Sequence, residues 1–241
     1  MIGIIGAMTA EVSMLIDIID NAKVEYISGK TYYIGTISNV GVVLSVSGVG
    51  KVNSAITAEA MILKYKPDCI IHIGIAGGVS KYIEIDDTVV PEITVNHDVY
   101  RGIENNHTVD DINTVEIPCH PRLVQMLEYA GYMVTGKRPY RGTLATGEQF
   151  IGSDDKRDYI REEFSAIAVD MESASIAHVC YCNKVNCAML KSISDSANSD
   201  SEKTLEKTLM TTVQIPQVIM VKFIDLYKES ELYSEEVESV T

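Results

Sequence analysis

The chain has 241 residues, 46% hydrophobic and 22% charged, an ordinary globular composition with length for one α/β domain or two small ones. Twenty basic against 34 acidic residues leave a net charge of −14, a field that repels phosphate backbones and anionic lipid and so argues against nucleic acid and membrane surfaces as partners. No apolar run reaches the roughly 18–20 residues of a membrane helix, and the apolar opening Met1–Gly6 has no basic lead and stops too soon for a secretory signal, so residence in the cytoplasm is expected.

Strand and helix patterns alternate. Residues 2–6 read as a short buried strand, 10–19 as a helix, 24–46 as turn-separated β segments and 53–65 as an amphipathic helix. The Val/Ile-rich runs 69–75 and 88–95 read as strands covered on both faces. Then follow a helix at 122–130, a strand at 142–146, a helix at 155–164, and a strand at 166–170 leading directly into a helix at 173–182. A buried strand at 186–193 and one closing helix at 202–227 complete the pattern. The prediction is a single α/β domain over 1–228, a mixed, twisted central sheet flanked by helices, followed by an acidic tail over 229–241. That tail crowds Glu229, Glu231, Glu235, Glu236 and Glu238 and reads as a solvated end.

The five cysteines (Cys69, Cys119, Cys180, Cys182, Cys187) are odd in number and lack C-x-x-C spacing, so neither a disulfide framework nor a zinc site is expected. Cys69 and Cys187 read as small buried hydrophobes, and His178 near Cys180 has no paired ligand set. Two cofactor motifs fail on inspection. Gly3 and Gly6 follow a strand, but G-x-G-x-x-G is absent, so the tight pyrophosphate turn is not encoded. Ser47-Gly-Val-Gly-Lys51 resembles the end of a phosphate-binding loop, yet Ser45 stands where its first glycine belongs and Val52 where its Ser/Thr belongs. No cofactor and no metal are expected.

In α/β sheets the chemistry gathers beyond the carboxyl ends of strands, which directs attention to the turn after Gly6, to Gly74–Gly78, Val169–Glu172 and Ser194–Asp195. Three carboxylates stand there. Glu11 falls in the first turn of the predicted helix, where the dipole favours ionisation, although a first-turn Glu is also routine decoration. Glu172 lies where a buried strand gives way to a helix, which is equally a common N-terminal ornament. Asp195 follows an apolar strand between Ser194 and Ser196 and has an ordinary Asx-turn or cap as its structural alternative.

Six segments taken together are more specific than any one carboxylate. Gly3-Ile-Ile-Gly-Ala-Met8 with Glu11, Ser47-Gly-Val-Gly-Lys51, Gly74-Ile-Ala-Gly-Gly78, Gly147-Glu-Gln-Phe-Ile151, Val169-Asp-Met-Glu172 and Ser192-Ile-Ser-Asp195 resemble, in order and spacing, the nucleoside phosphorylase/nucleosidase superfamily. The nearest resemblance is to its 5′-methylthioadenosine/S-adenosylhomocysteine nucleosidase branch; it runs from Met1 to about Tyr227 and is thinnest over 92–125. The resemblance implies that Asp195 protonates adenine N7, that Glu11 holds and deprotonates the attacking water, and that Glu172 binds the ribose hydroxyls with Met171 against the sugar. Phe150 would stack on the purine and the backbone of Ile151 would read the adenine edge. Val49, Ile75, Ser194 and Lys191 complete the expected substrate-contacting set, and a homodimer is implied. One carboxyl must carry a proton while another is ionised, which requires unlike environments.

The same fold hosts phosphorylases, which draw an arginine clamp for phosphate from the N-terminal third. Here no arginine precedes Arg101, and Glu11 stands where such a clamp would begin; a carboxylate repels phosphate but orients water. Ile75 replaces the serine common in these nucleosidases, removing a hydroxyl near the nucleophile. Lys191 replaces the usual arginine four residues before the catalytic aspartate, keeping the charge but losing the planar fork, so looser support for Asp195 is expected. Residues 96–107, which shape the pocket for the 5′ group in the family, match poorly, and His97 there is either a substrate contact or a loop histidine. A phosphorylase and a nucleoside-binding relative without turnover remain the alternatives.

Overall fold

In a computed structural model of the chain, residues 1–99 and 116–230 are described. Strand β1 (Ile2–Gly6) leads into a 3-10 turn (Thr9–Glu11) and a short α1 (Ser13–Asp17). The antiparallel strands β2 (Asp20–Ile27), β3 (Lys30–Ile37) and β4 (Val40–Val46) follow. Their connections turn on Ser28-Gly29 and Ser38-Asn39, all four at positive φ, the geometry that matches strand twist in two-residue hairpins. Next come α2 (Lys51–Tyr65), β5 (Cys69–Gly78), β6 (Thr88–Val89), β7 (Ile93–Asn96), β8 (Glu116–Pro118) and α3 (Pro121–Thr135). The chain continues with β9 (Thr143–Thr146), α4 (Asp154–Phe164), β10 (Ala166–Asp170), α5 (Ser173–Cys182), β11 (Asn186–Asp195), α6 (Ser201–Thr212) and α7 (Gln214–Lys228).

The sheet is mixed, as the alternating pattern implied. Its order is β2-β3-β4-β1-β5-β10-β9-β7-β8, with β11 on β5 and β6 on β11. Strand β5 organises it. Its first half pairs in parallel with β1, from Ile2 opposite Cys69 to Ile5 opposite His72, and its far end pairs antiparallel with β10 at Gly77 and Gly78. Strand β11 runs parallel to β5 from Asn186 to Asp195. Strand β1 therefore stops where β10 takes over, and a change of neighbours of this kind opens a crevice. The main core fills the faces of β1, β4, β5 and β11 against α3, α5 and α7; a smaller cluster of Val79, Val95, Ala145, Ile151, Ile160, Phe164 and Val169 lies under α4.

Three predicted elements are interrupted, each for a local reason. The helix expected over 10–19 is a 3-10 turn and one short helix, because Gln217 of α7 enters its hydrogen-bond ladder. The Gln217 amide donates to the Ala10 carbonyl (3.0 Å) and accepts from the Met14 N–H (2.9 Å), replacing the bond those two groups would form in a helix. The strand expected over 88–95 is split into β6 and β7 around Pro91, which has no N–H to donate to a ladder. The closing helix over 202–227 breaks at Val213; Pro216 cannot donate to the Thr212 carbonyl. Taken as one span, Ser201–Lys228 is long and apolar enough to cross a membrane, but Ile219, Met220, Phe223, Ile224 and Tyr227 are buried in the core.

Candidate active site

Glu11 is held by backbone alone. Its carboxylate accepts N–H bonds from Ala7 (2.7 Å) and Met8 (2.9 Å) on one oxygen and from Ile75 (3.0 Å) on the other. The second oxygen lies so close to β5 that a Cβ on Gly74 would stand 2.4 Å from it; a side chain there would displace the carboxylate. Glu11 stands in a first turn as expected, but of a three-residue 3-10 helix, and it is buried. Burial instead pushes its pKa up, opposed by the Lys191 charge and the three N–H donors.

Glu172 caps α5 and accepts from the Gly50 N–H at 2.9 Å. Gly50 has φ 99°, and a Cβ there would stand 2.6 Å from Glu148 Oε1, so glycine is required both for the turn and for the approach. Burial and the neighbouring Asp170 raise the Glu172 pKa to about 7, with Lys191 and the Gly50 N–H pulling the other way and Glu11 adding to the rise. At the far side of the crevice, Asp195 accepts from the Ser194 hydroxyl (2.9 Å) and the Ala197 N–H (2.8 Å). A bulge between Ile193 and Asp195 sets Asp195 opposite Gly77, and bulges re-aim side chains in this way.

One cavity brings together Gly77, Phe150, Ile151, Val169, Met171 and Asp195, with Gln149 and Asp170 completing its wall. Phe150 is 45% exposed while Ile151 is buried, so the aromatic ring is free to meet a flat ligand at the mouth. Of the predicted set, Asp195, Phe150, Ile151 and Met171 share this cavity, Glu11 meets Ile75 of β5, and Glu172 meets Gly50 and Asp170. Ile75 contributes its backbone N–H to Glu11. Ser194 is buried behind Asp195. Val49 is largely exposed and gives its carbonyl to Asn53; its neighbour Gly50 makes the bond to Glu172.

Lys191 departs most from expectation. It was expected beside Asp195; its ammonium is instead fully buried and paired with Asp170 (3.0 Å) and with His72 Nε2 (3.2 Å). Asp170 also accepts from Thr146 Oγ1 (2.6 Å) and Ser173 Oγ (2.5 Å). The sequence reading missed His72, Thr146 and Ser173. The available signal was a histidine and a lysine inside otherwise apolar central strands, since buried groups of that kind are paired. A second unpredicted feature ties three loops at the rim: Lys51 Nζ pairs with Asp98 (2.5 Å), Asp98 accepts the Glu148 N–H (2.7 Å), and Glu148 accepts the Lys51 N–H (3.0 Å). His97 turns Nε2 inward against Gly147, where it has no partner among the described residues, and burial lowers its pKa. Tyr100 and His107, in the segment expected to shape the 5′ pocket, lie outside the described residues, as does most of the acidic tail.

The family model described as the Phosphorylase superfamily matches residues 1–223. The chain belongs to that superfamily. Within it, the chain is 38% identical to the 5′-methylthioadenosine/S-adenosylhomocysteine nucleosidase of Buchnera aphidicola subsp. Baizongia pistaciae, over 82% of this chain and 79% of that protein. It superposes on the nucleosidase of the same name from Neisseria meningitidis, solved with methylthio-immucillin-A, with a TM-score of 0.87 at 26% identity, covering 92% and 97% of the two chains. A futalosine hydrolase of Helicobacter pylori superposes with a TM-score of 0.86 at 27% identity, covering 93% and 97%. The resemblance drawn from the six segments is borne out, and with it the superfamily's α/β fold.

Proposed function

We propose that this chain hydrolyses the N-glycosidic bond of 5′-methylthioadenosine and S-adenosylhomocysteine, releasing adenine and the 5-thio-ribose. The observation that carries water as nucleophile is the seat of Glu11. Three backbone N–H groups fix a carboxylate at the end of β1, and no arginine occurs in the first hundred residues to hold a phosphate there. Asp195 donates a proton to adenine N7, so the base leaves neutral. Glu11 orients the water and takes its proton. Glu172 bonds the ribose hydroxyls, Met171 lies against the sugar, Phe150 stacks on the purine and the Ile151 backbone meets its edge. The sugar gains positive charge as the bond breaks, and fixed carboxylates in a dry site stabilise that charge. The decisive assay is adenine release in phosphate-free buffer; obligate phosphate dependence with sugar 1-phosphate as product overturns the reading. A futalosine hydrolase superposes as closely as the nucleosidases do, so futalosine belongs in the substrate panel.

The reading extends to a catalytic unit of 1–228, with the acidic tail outside it, acting in the cytoplasm as a homodimer. The support for a dimer is an exposed apolar stripe on α2, Val52, Ile56 and Leu63, on the helix whose N-terminal Gly50 reaches Glu172. Ile56→Glu is expected to yield monomers by sedimentation; a wild-type monomer overturns the assembly.

A further inference from the structure

Behind the site the hydrogen bonds close into a ring. The Lys191 ammonium donates to Asp170 Oδ2 and to His72 Nε2. An ammonium only donates, so Nε2 is the acceptor and the ring proton sits on Nδ1, which faces Ser173 Oγ at 3.0 Å. The Ser173 hydroxyl then donates to Asp170 Oδ2. All four residues are buried, and each link fixes the direction of the next.

The ring lies beneath both carboxylates of the nucleophile side. Lys191 is directly across the ladder from Gly74, the residue against which Glu11 Oε1 is pressed. Asp170 accepts the Glu172 N–H at 3.4 Å. Three acids, Glu11 from the 3-10 turn, Asp170 from β10 and Glu172 before α5, share the one ammonium of β11, with neutral His72 from β5 beside it and His97, just after β7, within the field of Asp170. Where that single cation sits decides how its field divides among them.

We propose that His72 is a positioning residue of this site, acting through Lys191: the ring pins the ammonium where it faces Glu11 and Glu172 as well as Asp170. Without the His72 acceptor the ammonium, already in contact with Asp170, is held from one side only and swings away from Glu11, which loses the cation that favours its ionised form. Burial and then the Lys191 charge hold the His72 pKa well below its usual value against the pull of Asp170, which favours the neutral ring, and the ammonium facing Nε2 makes that nitrogen the acceptor.

The test rests on the hydrolase reading for its kinetics but has a second readout that does not. In His72→Leu the acid limb of kcat/KM is expected to move up by about one pH unit and kcat to fall about tenfold, with KM changed less than about twofold. His72→Gln, whose amide can accept from Lys191 and donate to Ser173, restores most of both. Carbon-13 titration of the glutamate side-chain carboxyls is expected to show the same upward shift in the Leu variant. Should that variant not fold, Ser173→Ala opens the ring one link away and moves the same limb by less. An acid limb and a carboxyl titration that coincide with wild type overturn the proposal, as does a Gln variant no better than the Leu variant. A wild type that releases no adenine while the titration shifts sinks the hydrolase reading and leaves the ring standing; an active wild type with an unmoved titration does the reverse.

Discussion

The two ends of the site are built by different means. At the end proposed to hold the water, Glu11 stands in a 3-10 turn, Glu172 before α5 and Lys191 on the core strand β11, and they are fixed by backbone N–H groups and a buried ion pair. At the end proposed to take the purine, Asp195 is fixed at the tip of β11, but Phe150, the proposed stacking partner, is half-exposed on a loop. The first end sets charge and the second sets shape. Charge needs burial to act strongly, because water screens it; a flat ring needs an open mouth through which to enter.

Substitutions can break this division. Asp195→Asn is expected to lower kcat/KM by about 10³-fold and Glu11→Gln by about 10²–10³-fold, measured as adenine release, the losses falling on kcat rather than KM. Full activity in either variant removes that residue from the chemistry. Lys191→Met leaves Asp170 buried without its cation and should cost about 3–5 kcal/mol of folding stability in denaturant melts. Lys51→Met, at the partly exposed rim, should cost less than about 1 kcal/mol. Equal losses in the two would erase the contrast between core and rim.

The raised pKa of Glu172 gives a signed prediction. Its folded form holds a proton up to about pH 7, whereas in the unfolded chain the proton leaves near the ordinary carboxylate value of 4.5. Wild type should therefore lose stability relative to Glu172→Gln as pH rises between those values, and the gap should be flat above pH 7. A gap that widens in favour of wild type reverses the assigned environment. At the purine end, Phe150→Ala should raise KM about threefold to tenfold with kcat nearly kept, a stacking loss of about 1 kcal/mol. Smallest is Ile75→Ser: the contact to Glu11 is a main-chain N–H that serine supplies equally, so activity should change by less than about threefold.

The six glycine- and acid-bearing segments were legible because each places chemistry at a strand end, and strand ends can be read from where an apolar run stops. The positions of Glu11, Glu172 and Asp195 follow from that; the superfamily came from the resemblance of the six segments to a known family, now matched over residues 1–223. What misled was local helix pattern. Residues 10–19 have the periodicity of a helix, yet a glutamine 203 residues from Met14 enters the ladder, and no window of sequence contains both partners. Glu11 keeps its first-turn position, but in a three-residue 3-10 helix rather than the longer helix expected.

Lys191 shows the same limit at the site itself. Counting along the chain put it with Asp195, four residues away on one strand. The bulge after Ile193 and the pairing of β5 with β11 gave it to His72 and Asp170 instead. The sequence by itself determined which residue types stand at the strand ends, because apolar runs and their polar stops are local properties, and the class of chemistry came from the resemblance those segments carry. Only the tertiary structure decided which charges face one another, because strand register and helix docking bring together groups more than a hundred residues apart, and the energy of a buried charge depends on the few ångströms around it.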